Sequence, residues 1–437
     1  MRGKLDKYIV SILAVVIVLS TSSNALDLWQ APFDTSSAKV LSENQALSLD
    51  DILKLVAVNN PAFRSYDYQL RAAHNDLKQA GLWANPELDV EFGEVGWDAP
   101  GFQESEFSVS LAQEFEFFGQ SGARKDVAWA QIDATKLQMK LSSFDLYLET
   151  KLRFYAFAHA QQNVILAQKS IELTKEIVEN TSFRLEKGAA LQSELLLAQL
   201  EEQRAQLALE QTKQDVIAEE ATLVSLWKGK PSGMKVSVDM GPNFTLLLHR
   251  IAQMPNHADS ARDLIHLQSE LDILRAEKRL AITKARPSVT LSGGFKRLEM
   301  DKSKSFHFGF SMPLPFFSRN QGTKQSLDAR VRSLEYDIEL NQIESNSIIQ
   351  SNIIQLKKSI NSYVTIDSLL LPTAEKAYRT LQKAYEAGRV PFTQLLEAER
   401  ALNDINFERN DILMAIQERI ITLESITGVA LFVTKEN

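Results

Sequence analysis

Six histidines, His74, His159, His249, His257, His266 and His307, are the first residues to test for chemistry, and their spacing argues against it. No two fall at helical ligand spacing and they form no cluster. The chain has no cysteine, so it lacks zinc thiolate sites, disulfides and a thiol for an N-terminal lipid. It contains no Gly-x-Ser-x-Gly elbow, no phosphate-binding Gly-Lys loop and no dinucleotide fingerprint. Paired carboxylates, Glu201-Glu202 and Glu219-Glu220, could in principle exchange protons. They stand in helical, amphipathic stretches, where the expectation is a solvated face. The residues therefore call for no enzyme, no cofactor and no resident metal.

The order lies instead in a repeat. Gly122 and Gly188 stand 66 residues apart with neither Gly nor Pro between them, and Gly322 and Gly388 repeat that spacing 200 residues later. Ala84-Asn85-Pro86 returns as Ala285-Arg286-Pro287, Phe117-Phe118 as Phe316-Phe317, and Leu195-Leu196 as Leu395-Leu396. Two copies of one unit are expected. Residues 123–187 are rich in Ala, Leu, Gln, Glu and Lys, all good helix formers. As one helix this stretch spans about 97 Å at ~1.5 Å per residue, too long for the core of a compact domain. Apolar residues recur every three to four positions over 189–228, so Gly188 reads as the turn of a long antiparallel helical hairpin. The second copy repeats this over 323–387 and 392–427, with a break or kink and a fresh helix start expected near Pro372.

Composition sets the environment. With 437 residues, 44% hydrophobic and 24% charged, the chain can build a substantial core. Arg2, Lys4 and Lys7, the apolar run Ile9 to Leu19 and the small residues Ser23 and Ala25 predict a signal peptide cleaved after Ala25. Losing Arg2, Lys4, Lys7 and Asp6 with it subtracts +2 from −8 and leaves −10, the wrong sign for nucleic acid. The expected divisions are 1–25 signal peptide, 26–48 extended segment, 49–230 first repeat, 231–258 linker, 259–428 second repeat and 429–437 tail. Each repeat starts with a short helix, about 49–82 and 259–285.

Between that short helix and the long one, the apolar period drops to two. Leu88, Val90 and Phe92 alternate with Glu87, Asp89 and Glu91, and Phe107, Val109 and Leu111 with Ser108, Ser110 and Ala112. In the second copy Val289, Leu291 and Phe295 share one face, and Phe306, Phe308, Phe310 and Met312 another run of the same kind. Such strands fit tilted membrane-spanning strands whose apolar side faces lipid. Two hairpins on a soluble core are the alternative, but four strands would then leave edges exposed. A spanning barrel must close, and four strands enclose no pore, so the barrel must be shared, with eight strands from two chains or twelve from three.

The ordered set of hairpin, long helical hairpin with Gly turn and repeat at about 200 residues resembles the TolC family of outer-membrane efflux proteins. The resemblance covers roughly residues 45–430. It rests on Met312-Pro313-Leu314-Pro315-Phe316-Phe317-Ser318-Arg319-Asn320-Gln321-Gly322 and on Tyr385-Glu386-Ala387-Gly388 leading into Leu395-Leu396-Glu397-Ala398-Glu399. The first-copy junction, Glu116-Phe117-Phe118-Gly119-Gln120-Ser121-Gly122-Ala123-Arg124, looks like that of the CzcC-like heavy-metal branch, which works with RND-type transporters. Gln120 and Ser121 depart from its more basic junction.

The resemblance implies a mostly α fold with β: tandem long helical hairpins forming a periplasmic α-barrel, and four strands entering a trimeric, 12-stranded outer-membrane β-barrel. It implies an exit duct, without enzymatic activity, that works with a periplasmic adaptor and an inner-membrane transporter, carrying heavy-metal cations or else drugs, solvents or a secreted polypeptide. A periplasmic adaptor or coiled-coil scaffold is the alternative of another class, but adaptors typically have one helical hairpin. By resemblance, Arg184, Gly188, Ala189, Gly388 and Arg389 meet the adaptor, and Tyr385, Glu194, Gln394 and Glu397 surround the periplasmic constriction. One expected carboxylate is thus the amide of Gln394. Threefold symmetry turns Glu194 and Glu397 into like-charged rings that attract cations. Trp97 and Phe102 fall in the first inter-strand loop, and Trp83 precedes the first strand, as interfacial or packing residues.

Overall fold

The computed structural model describes residues 46–93, 105–237, 241, 243–253, 262–428 and 431. The signal peptide, most of the extended segment, Trp97, Phe102, residues 254–258 of the linker and all of the tail except Leu431 lie outside the described residues. The chain falls into two compact units. One gathers the described parts of 1–63, 140–262 and 343–437, the other residues 64–139 and 263–342.

The sequence pattern becomes helix, hairpin and helical hairpin, twice. Helix α1 (Leu49–Asn59) starts from a capping box in which Ser48 and Asp51 satisfy each other's backbone N–H groups. The single leading helix expected over 49–82 is in fact two, because Pro61 follows Asn60 and forces that residue into extended backbone. Asn60 then accepts from the Ala62 N–H at 2.9 Å and opens α2 (Ala62–Ala80). Strands β1 (Glu87–Gly93) and β2 (Glu106–Phe115) precede α3 (Gln120–Glu186), 67 residues long, and α4 (Gln192–Ser225). Helices α5 (Phe244–Gln253) and α6 (Arg262–Thr283) lead into β3 (Val289–Leu298) and β4 (Lys304–Ser311). The second long hairpin comprises α7 (Gln321–Thr365), a π-helical segment (Ile366–Leu370), α8 (Leu371–Glu386) and α9 (Phe392–Thr427).

The interruption expected near Pro372 takes the form of a π turn and not of a full break: α7 ends at Thr365, and the fresh α-helix, α8, starts at Leu371 with Pro372 in its first turn. The backbone stays helical, and the wider π turn, closed by the Leu371 N–H on Ile366 O, precedes the proline that lacks an N–H. Both hairpin turns use the same geometry. Gly188 and Gly388 take φ +70° and +67°, where a side chain is strained. Their N–H groups bond Leu185 O and Tyr385 O at 2.9 Å, and the next residues reach back to Arg184 O at 2.7 Å and Ala384 O at 2.8 Å.

In the first unit Leu49, Ile52, Val56, Phe154, Phe157 and Leu223 form one cluster, and Leu247, Ile251, Leu356, Ile360, Ile416 and Ile420 another. Each such buried side chain contributes roughly 1.5–3 kcal/mol. The linker takes part in this core. It supplies Leu247 and Ile251 from α5, and Val236, which forms a parallel bridge with Leu47.

In the second unit the strands form one antiparallel sheet in the order β1-β2-β3-β4. Register carries the alternation across it: Leu88, Val90 and Phe92 face Leu111, Val109 and Phe107, and Leu291 and Phe295 face Phe310 and Phe306. Val109 pairs with Phe295 and Phe115 with Val289, so all these apolar residues share one face. No strand residue is buried, and Phe308 is 89% exposed, which removes the alternative of a sheet on a soluble core. Met312 lies just beyond the end of β4 and does not extend its face. The opposite face is polar and pairs Lys296 with Glu106. No described helix is long and apolar enough to cross a membrane.

Candidate functional site

The turns bring Tyr385, Glu194, Arg184 and Ala189 into one constellation within the first unit. Helix α8 delivers Tyr385, which is 1% exposed. Its hydroxyl donates to Glu194 Oε2 at 3.1 Å and lies 3.4 Å from Thr181 Oγ1, whose own proton goes to Ile177 O at 2.8 Å. The ring stands edge-on to Phe392 at 5.7 Å, while the Arg184 guanidinium lies over it at 4.3 Å. Arg184 is also fixed by Ala189 O at 2.9 Å. Burial first, and the Glu194 carboxylate after it, hold the Tyr385 phenol above its ordinary pKa, so it remains a donor. Glu194 sits in the first turn of α4, where its charge meets the positive end of the helix dipole. One phenol of the second repeat thus ties α8 to α3 and α4 of the first.

Gln394 and Glu397 are exposed on the opening turns of α9, and the Tyr385 hydroxyl engages Thr181 and Glu194 instead of either of them. Gly188, Ala189, Gly388 and Arg389 are exposed at the two turns. The site residues therefore divide: Tyr385 and Arg184 are engaged inside the protomer, Glu194 is half-buried, and the others face outward. Polar ties continue along the same helices. Gln382 donates to Glu176 at 2.8 Å, Asn403 to Ser170 at 2.9 Å, and Arg400 pairs with Glu201.

Two sequence expectations fail here for one reason. Glu201 is not on a solvated face, because Arg204 at 2.8 Å and Arg400 cover its carboxylate. Glu220 is buried and accepts the backbone N–H groups of Ser232, Gly233 and Met234 at 2.7, 2.9 and 3.1 Å. Helical periodicity cannot reveal partners supplied by another segment. Gln120, singled out only as a departure, turns out to be buried at the strand-to-helix junction. Its Oε1 accepts from the Phe118 N–H at 3.1 Å and its Nε2 donates to Arg286 O at 3.2 Å. Gln321 makes the matching bond from the Arg319 N–H at 2.8 Å, so a repeat-wide alignment of Gln120 with Gln321 was the available signal.

Among the described residues no group of three or more His, Asp or Glu is placed to hold a metal ion. The sheet supplies the second candidate surface, the exposed face built from Leu88, Val90, Phe92, Leu111, Leu291, Phe306, Phe308 and Phe310, with Phe107, Val109 and Val289 half-exposed among them.

Comparison with known proteins places these features. Residues 52–229 and 256–429 match the family described as Outer membrane efflux protein. The cobalt-zinc-cadmium resistance protein CzcC of Cupriavidus metallidurans is 24% identical over 412 residues, covering 91% of this chain and 94% of that protein. The nickel and cobalt resistance protein CnrC of the same organism is 23% identical over 342 residues, covering 75% and 77%. The fold matches a crystal structure of CusC with a TM-score of 0.74 at 15% identity, covering 89% of this chain and 96% of that one. The outer membrane protein VceC of Vibrio cholerae matches at 0.70 and 13% identity, covering 88% and 97%. The repeat, the hairpin turns and the four-stranded sheet are thus those of a known class, and the chain belongs to the outer membrane efflux protein family, a transport channel of the outer membrane and not an enzyme.

Proposed function

We propose that this chain is the exit duct of a tripartite efflux pump for heavy-metal cations, acting as a homotrimer with a periplasmic adaptor and an inner-membrane transporter. The observation that carries the duct reading is the sheet: one face predominantly apolar and unburied, and an order that, among the described residues, leaves β1 and β4 at its edges without a further strand. Unpaired edges are tolerated in lipid only when other copies complete a closed barrel. The metal cargo is supported by the similarity to CzcC along 94% of that protein's length. In this reading Glu194, Gln394 and Glu397 line the constriction, and Tyr385, tied to Glu194, braces it shut. Arg184, Gly188, Ala189, Gly388 and Arg389 form the tip that meets the adaptor.

The test is deletion of the gene, with cell-associated zinc, cobalt, cadmium and nickel measured beside dye retention, and complementation by the intact gene. Raised metal with normal dye efflux is the expected result. Raised dye retention with unchanged metal would move the cargo to drugs or solvents.

A further inference from the structure

Glu399 is a carboxyl group in the wrong place for a charge. It lies on α9 one helical turn past Leu395 and Leu396, is 2% exposed, and is surrounded by α3, α4, α8 and its own helix. Its nearest fixed partner is neutral: Asn403 donates to Glu399 Oε1 while also reaching Ser170 of α3. Among the described residues no cation forms an ion pair with it. Arg400, its neighbour in sequence, is spent on Glu201 of α4, which Arg204 also holds. The remaining groups facing it are acidic or silent. Glu201 and Asp404 repel a charge at Glu399. On α8 the Tyr378 hydroxyl is buried with no hydrogen-bond partner among the described residues, and burial, followed by Glu176, Glu399 and Glu386, pushes that phenol well above its ordinary value. Thr174 of α3, also buried, spends its hydroxyl on Ser170 O and Ile171 O at 3.1 Å.

We propose that Glu399 is a proton-operated packing element of the hairpin tips: neutral, it lets α3, α4, α8 and α9 stay closed on one another, and its ionisation loosens them. On the duct reading above, that loosening moves the constriction beside Tyr385 and Glu194 toward opening.

The chemistry places the switch in the neutral range. Burial first, then Glu201, raises the Glu399 pKa from 4.5 to about 7, with Asn403 and Arg400 pulling in the opposite direction and Asp404 adding to the rise. The folded carboxyl therefore holds its proton between pH 4.5 and about 7, where an unfolded one has lost it. Stability then falls as pH rises through that window and is fully present below it.

The experiment is amide hydrogen exchange on the full-length mature protein reconstituted in lipid, corrected for intrinsic rates, at pH 5.5 and 8.5. Protection within 170–181, 198–205, 374–386 and 395–406 should fall by roughly tenfold or more at the higher pH. Glu399→Gln, which keeps the acceptor for Asn403, should hold its protection at both pH values. Glu201→Gln should move the midpoint of the loss to lower pH, a shift that a merely structural role at 399 would not produce. An unchanged pH response in Glu399→Gln, or none in the wild type, would overturn the proposal. Conductance in planar bilayers should rise over the same range in the wild type and stay flat in Glu399→Gln. Absence of any channel, with the exchange pattern intact, would remove the duct reading and leave the packing element standing.

Discussion

Lys151 and Glu424 show how much one residue pair can commit. Their side chains are 1% and 0% exposed, the ammonium lies 2.8 and 2.7 Å from the two carboxylate oxygens, and Glu424 also accepts the Leu431 N–H at 2.7 Å. Lys151→Met strands a buried carboxylate and should cost about 3–5 kcal/mol, whereas adding Glu424→Met should recover most of that loss. Thermal unfolding followed by helical ellipticity separates the two outcomes. The neighbouring phenols obey the same logic: burial, then Glu424, pushes Tyr155 up to about 12, so no phenolate competes for the lysine at neutral pH. Little at this scale was legible in the sequence. Gly188 and Gly388 were, since few residues accept their φ values. Glu220, Glu201 and Glu399 were not, because their neighbours come from helices far away in the chain, and a charged letter in a helical run looks the same whether water or arginine meets it.

At the scale of elements the strands were the clearest, since alternation survives in register across β1, β2, β3 and β4. Pro372 was harder. A proline can end a helix, kink it or follow a wide turn, and only the backbone distinguishes these. The π segment Ile366–Leu370 carries one residue more than the same rise of α-helix needs. Deleting Ser368 should therefore keep α8 in phase, with Tyr385 still opposite Glu194, while forcing Pro372 into regular α backbone. The expected cost is about 3 kcal/mol, read by thermal unfolding, and the same deletion combined with Pro372→Ala should restore stability. Persistence of the loss in the combined variant would show that the wide turn matters for itself. The split of the leading helix at Asn60-Pro61 follows the more ordinary rule that the residue before proline leaves the helical region.

The repeat was legible for the whole molecule because its punctuation is covalent: a glycine or proline in the chain marks the same spot in the fold. Subunit number was not, as four strands fit any count that closes. A shared barrel predicts a gel band that falls from oligomer to monomer only after boiling. Phe308→Arg, on the exposed apolar face, should thin that oligomer band, since a cation at mid-membrane costs about 2–4 kcal/mol. Unchanged mobility with and without heat would oppose a shared barrel. The two unpaired sheet edges also set how damage is inherited. A chain whose β4 cannot accept a neighbour does not merely fail alone; it spoils every ring it enters. If three chains close each barrel and good and bad copies are made equally, only about one assembly in eight contains no bad copy. A lesion at that edge would therefore behave in a mixed population as dominant, while complete loss of the same gene copy would be recessive.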